Sequence, residues 1–159
     1  MQTATGRDVV LTMLDLATDI ARWNKKYTTK TVLLKKLDEL GLTSHQTEVL
    51  GFLYANPELE TVSQLAAEMF ISKGSLSLMI SKLESGGFVQ KKAAKGADDG
   101  RKVYIRLTEK GEKAVKDIRE TMVESASDVF ENMDEERRTL FYTKVKELQE
   151  LFNTGGWKE

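Results

Sequence analysis

A chain of 159 residues with 40% apolar and 31% charged side chains and a net charge of −1 can bury one respectable core, and it is not disordered in composition. With no cysteine and one histidine it can build neither a disulfide framework nor a typical zinc site, so no metal and no cofactor are expected. No apolar run approaches the length of a bilayer span and no export signal opens the chain, so the cytoplasm is the expected location, with no membrane partner.

From Arg7 to Tyr27, residues Val10, Met13, Leu14, Ala17, Ile20 and Ala21 recur at helical spacing, with Asp8, Asp15, Asp19 and Arg22 elsewhere. Thr28, Thr29 and Thr31 lower helix propensity before Val32, Leu33, Leu37 and Leu40 resume the pattern. The spacing predicts one long helix, bent or broken near 28–31 and stopped by Gly41. Thr43 and Gln46 have the spacing of a capping box, in which each side chain satisfies the other's orphan backbone donor. They open a helix through Val49, Leu50, Phe52 and Leu53, and Asn56-Pro57 then marks a turn.

Thr61 and Gln64 repeat the capping box, followed by Val62, Leu65, Ala66 and Met69 at helical spacing. The stretch Met69 to Ser72 interrupts that helix, and Ser72 is suited to cap a second one over 72–85. There Leu76, Met79, Ile80 and Leu83 form one apolar face, and Gly86-Gly87 supplies the stop. Phe88-Val89 and Val103, Ile105, Leu107 predict two strands, joined by a polar, basic loop containing Asp98-Asp99-Gly100. Helix, turn, helix and a basic hairpin make a winged helix-turn-helix, whose second helix ordinarily enters the major groove of DNA. From Lys73 to Arg106 eight basic residues face three acidic ones, a surplus of five in a chain that is otherwise negative. Such a stripe is an electrostatic footprint for phosphate.

Thr108 can cap the next helix, where Val115, Ile118, Met122, Ala126, Val129 and Met133 step by three and four residues, as along a seam between helices. Asp134 restarts a helix with the stripe Leu140, Phe141, Val145, Leu148, Leu151 and Phe152, and Gly155-Gly156 ends it. The expected fold is mainly α with a small β-hairpin. An N-terminal helical segment (1–42) precedes the winged helix-turn-helix (43–108, with recognition helix 72–85 and wing 88–107), and C-terminal helices follow (109–159). The outer helices carry more apolar surface than one small winged helix needs, which predicts a two-fold homodimer. There is no phosphate-binding glycine loop and no nucleophile–base constellation, so an enzyme is not expected.

On the second helix the wheel sends Ser77, Leu78 and Ser81 outward, and Lys73, Gly74 and Ser75 sit at the tip beside Ser72; Lys82 adds a cation. Small hydroxyl residues there can approach base edges or phosphates. Leu78 fits either a contact with a thymine methyl or an ordinary isolated exposed leucine. Gly74 costs about 1 kcal/mol of helix propensity. Either a close backbone approach to phosphate or a harmless first-turn glycine accounts for it.

The run from Leu40 to Gly111 resembles the MarR family of bacterial and archaeal transcriptional regulators. The resemblance rests on Leu42-Thr43, Leu65-Ala66, Ser72-Lys73-Gly74-Ser75, Leu83-Glu84, Gly87-Phe88-Val89, Asp99-Gly100-Arg101 and Leu107-Thr108 with Gly111, in that order and spacing. It implies a homodimer with interleaved terminal helices on a pseudo-palindromic double-stranded DNA operator. It also implies that Arg101 enters the minor groove with Asp99 steadying its guanidinium, while Lys92, Lys95 and Lys102 neutralise phosphates. An arginine is frequent in the family where Leu78 stands, so no guanine contact is carried over there. The resemblance further implies a repressor relieved by a small aromatic or anionic effector near the junction of dimer helices and reading head. The aromatic residues available for it are Trp23, Tyr27, Phe52 and Tyr54, although aromatic residues at helical spacing generally fill a core. Thiol-based peroxide sensing, found in some relatives, is chemically unavailable without cysteine. An effector-independent DNA-binding regulator and a winged-helix protein-interaction module are the competing readings.

Overall fold

The computed structural model describes residues 3–27, 30–57, 61–93 and 103–154. Its elements run α1 (Gly6–Tyr27), α2 (Lys30–Leu40), α3 (Ser44–Ala55), α4 (Val62–Glu68), α5 (Lys73–Ser85), β1 (Val89–Ala93), β2 (Val103–Leu107), α6 (Glu109–Glu131) and α7 (Glu135–Asn153). The chain divides into two compact units, Lys30–Met122 and the pairing of Met1–Thr29 with Val123–Glu159. The mainly helical class with a small hairpin, expected from the residue pattern, is the one found. The unit boundaries fall at 29/30 and inside α6. Leu37 of α2 and Ala114, Val115 and Ile118 of α6 are buried in the winged-helix core, which draws both elements into that unit.

In the Lys30–Met122 unit the helix starts are fixed locally. Thr43 accepts from the Gln46 amide at 3.3 Å while Gln46 accepts from the Thr43 amide at 2.9 Å. Thr61 and Gln64 repeat the arrangement at 3.2 and 3.1 Å. The 3.6-residue period then turns Leu50, Leu65, Leu76, Ile80 and Leu83 inward, each fully buried, alongside Ile105 from β2. Burial on that scale contributes about 1.5–3 kcal/mol per side chain. Strands β1 and β2 pair antiparallel with Val89 opposite Leu107 and Lys91 opposite Ile105. An isolated bridge joins Thr61, just ahead of α4, to Tyr104.

α6 leaves the hairpin at a close crossing. The Thr108 hydroxyl donates to the Gly87 carbonyl at 2.6 Å and accepts from the Gly111 amide at 3.1 Å. Gly111 is buried against Phe88, and a Cβ there would overlap the Phe88 carbonyl oxygen. The helix therefore approaches the strand more closely than any side-chain-bearing residue at position 111 permits.

The second unit joins α1, the last turns of α6, and α7. Asp134 caps α7 by accepting from the Arg137 amide at 2.8 Å, and Arg138 pairs with Glu131 at 3.0 Å. A run of rings crosses the three helices: Trp23 lies 5.6 Å from Tyr27 and 5.3 Å from Phe130, and Phe130 lies 5.4 Å from Phe141. Neither α1 nor α7 buries a single residue within the chain. Val10, Leu14 and Ile20 on α1, and Leu140, Phe141 and Leu151 on α7, are all about half or more exposed. Among the described residues no helix is long and apolar enough to cross a membrane.

Candidate nucleic-acid interface

The second helix of the pair, α5, is built to present its first turns. Ser72 has extended backbone and accepts from the Ser75 amide at 3.1 Å, and its hydroxyl donates to the Ser75 hydroxyl at 2.8 Å. Three residues anchor the helix: Leu76, Ile80 and Leu83 are buried completely. Ser72, Lys73, Gly74 and Ser75 at the tip are exposed, as are Ser81 and Lys82. Leu78 is 69% exposed, and Ser77 is half-buried, nearer the core than a simple wheel suggests. A Cβ added at Gly74 would meet nothing within 4 Å, so internal packing does not account for that glycine.

The outer end of the helix is tied to the hairpin. Lys91 of β1 reaches the Glu84 carboxylate at 2.7 Å and donates to the Ser81 hydroxyl at 3.3 Å. The hydrogen bond from Lys91 holds the Glu84 carboxyl below its usual range. Ser81, expected as a contact to nucleic acid, thus already has a partner within the fold. Residue spacing alone did not reveal this tie, because it joins positions ten apart through the turn at Gly86-Gly87.

The turn ahead of the helix holds a second feature absent from the sequence reading. Phe70 has φ +53°, in the left-handed region, and its ring is 95% exposed. A side chain there costs roughly 1–2 kcal/mol relative to the right-handed region. The residue type was visible, but its backbone conformation and exposure were not.

Of the expected wing contacts, Lys95, Asp99, Arg101 and Lys102 lie outside the described residues. Lys92 is in β1 opposite Tyr104, with its side chain also outside them. The aromatic residues considered for an effector divide between the units. Trp23 and Tyr27 belong to the ring run of one, and Phe52 and Tyr54 pack against the core of the other. Tyr54 also lines a cleft of about 250 Å³ with Leu53, Pro57, Ile105, Arg106 and Leu107. The Arg106 guanidinium donates to the Pro57 carbonyl across it at 2.6 Å. That volume is small for a drug-sized ligand. Among the described residues no group of acidic and histidine side chains could hold a metal ion.

Residues 40–102 match the sequence model of the MarR family. Over these residues, about two fifths of its length, the chain is similar to that family. The HTH-type transcriptional regulator FarR of Neisseria gonorrhoeae is 32% identical over 88 residues, which are 55% of this chain and 58% of that protein. The chain therefore spans somewhat over half the length of that curated relative. A MarR family protein from Bacillus stearothermophilus has a similar fold, with a TM-score of 0.65 at 21% identity over 95% of this chain and 99% of the other. The MepR–DNA complex of S. aureus aligns with a TM-score of 0.62 at 22% identity, covering 76% of this chain and 89% of that one.

Proposed function

We propose that this chain is a dimeric, sequence-specific DNA-binding transcriptional regulator of the cytoplasm, a repressor released by a small aromatic or anionic effector, and not an enzyme. The observation that carries the reading is the helix α5. It is rooted by three buried side chains, while its capped first turn, Lys73, Gly74 and Ser75, stands open beside a basic hairpin sequence. The helix enters the major groove through Ser72 to Ser75, Ser77, Leu78, Ser81 and Lys82. Arg101, steadied by Asp99, enters the minor groove, and Lys92, Lys95 and Lys102 meet phosphates. That a MepR protein of similar fold was crystallised with DNA supports the assignment. The exposed apolar stripes of α1 and α7 support a homodimer closed on its terminal helices.

Selection of bound duplexes from a random pool tests the whole reading. The expected product is a pseudo-palindrome with half-sites about one helical turn apart, or a multiple of it. A protein that stays monomeric and ignores every duplex in dilute buffer removes the assignment. Effector release is tested separately by adding phenolic and fatty acyl acids to the preformed complex and following Trp23 emission together with DNA release. If no compound moves either signal, the regulator works through its own concentration.

A further inference from the structure

Three helices of the Lys30–Met122 unit end on the same pair of backbone hydrogen bonds. After α2, Gly41 donates to Asp38 and Leu42 to Leu37; after α5, Gly87 donates to Glu84 and Phe88 to Leu83. After α4, Phe70 donates to Ala67 at 3.2 Å and Ile71 to Ala66 at 3.1 Å. This stop places one residue in the left-handed region, where glycine alone carries no steric penalty. Gly41 and Gly87 occupy that place, with φ +66° and +75°, and the third holder is Phe70. A phenylalanine in such a position is ordinarily justified by packing, but its ring is 95% exposed, while Ile71 beside it packs on the core. Neither the backbone nor the core explains the side chain. Its surroundings do: Phe70 stands two residues ahead of the Ser72 cap and three ahead of Lys73, at the end of α5 whose first three residues are exposed.

We infer that Phe70 is an apolar contact to the DNA duplex, its ring set against deoxyribose carbons or a thymine methyl where the helix enters the major groove. The inference deepens the DNA-binding reading and rests on it. Deoxyribose and the thymine methyl are the apolar surfaces a duplex offers there. The turn's two hydrogen bonds already fix the backbone at Phe70, so contact has only the ring's own rotamers left to order. Lys73, close by in sequence, supplies attraction to phosphate without selecting a base, so the ring adds what the cation cannot.

The test compares wild type with Phe70→Gly and Phe70→Asn, two residues that accept left-handed backbone, and with Lys73→Ala. Each is titrated with a selected operator and a random duplex across a salt series. Phe70→Gly is expected to raise the thermal midpoint by about 2–4 °C while weakening the operator complex about tenfold. The salt slope should stay unchanged in both Phe70 variants, whereas Lys73→Ala lowers it by about one. Equal loss on both duplexes identifies the sugar. Loss confined to the operator and reproduced by a thymine-to-uracil replacement, which removes the methyl, identifies the base. Wild-type affinity in both folded Phe70 variants overturns the inference and leaves the DNA reading standing. So does an altered oligomeric state with unchanged affinity per dimer, which assigns the ring to a protein interface. A wild-type protein that binds no duplex overturns both.

Discussion

At the scale of single residues, the grip of Lys91 on Glu84 and Ser81 has a pH signature. Glu84 titrates below its ordinary value because the Lys91 ammonium hydrogen-bonds its ionised form. A carboxyl with a lowered folded value stabilises the protein at pH above the unfolded value, about 4.3, and the gain disappears as pH falls through the folded one. Thermal melts of wild type and Glu84→Gln should therefore differ at neutral pH, with wild type higher. The difference should shrink as pH falls below the ordinary carboxyl range and close once Glu84 is protonated in the folded protein; a constant difference across that range would mean the charge is not involved. Gly74 gives a second expectation. Since nothing lies within 4 Å of an added Cβ, Gly74→Ala should stabilise the isolated protein by about 0.5–1 kcal/mol. If backbone approach to phosphate is the reason for the glycine, the same change weakens every duplex complex.

At the scale of elements, Gly111 is the opposite case. Helix propensity favours alanine over glycine by about 1 kcal/mol, yet the added carbon would overlap the Phe88 carbonyl oxygen, which belongs to backbone and cannot rotate away. The clash outweighs the propensity. Gly111→Ala should cost about 2 kcal/mol or more in chemical denaturation, against a gain at Gly74 for the same substitution. The helix starts at Thr43, Thr61, Ser72 and Asp134 were readable because a cap and its target lie three residues apart, within reach of a local pattern. The glycine stops at Gly41 and Gly87 were readable for the same reason. The bridge from Thr61 to Tyr104 and the crossing of Gly111 over Phe88 were not, since both depend on where distant segments meet. On α5 the exposure of Lys73, Gly74 and Ser75 followed from their place at the helix start, and that of Leu78 from the helical wheel. The occupied state of Ser81 and the half-burial of Ser77 depend on neighbours that no wheel contains.

At the scale of the whole molecule, the apolar side chains of α1 and α7 left uncovered within one chain set the expectation for assembly. Replacing Leu14 and Leu151 together by lysine should shift sedimentation from dimer to monomer, and duplex affinity should fall with it, because each half-site alone contributes only part of the binding energy. A double variant that stays dimeric would place the subunit contact elsewhere.

Helix α6 takes part in both compact units, with Ala114, Val115 and Ile118 seated in one core and Phe130 among the rings of the other. One helix thus answers to two packing patterns: truncating Val115 or Ile118 removes core burial, while truncating Phe130 removes ring contacts.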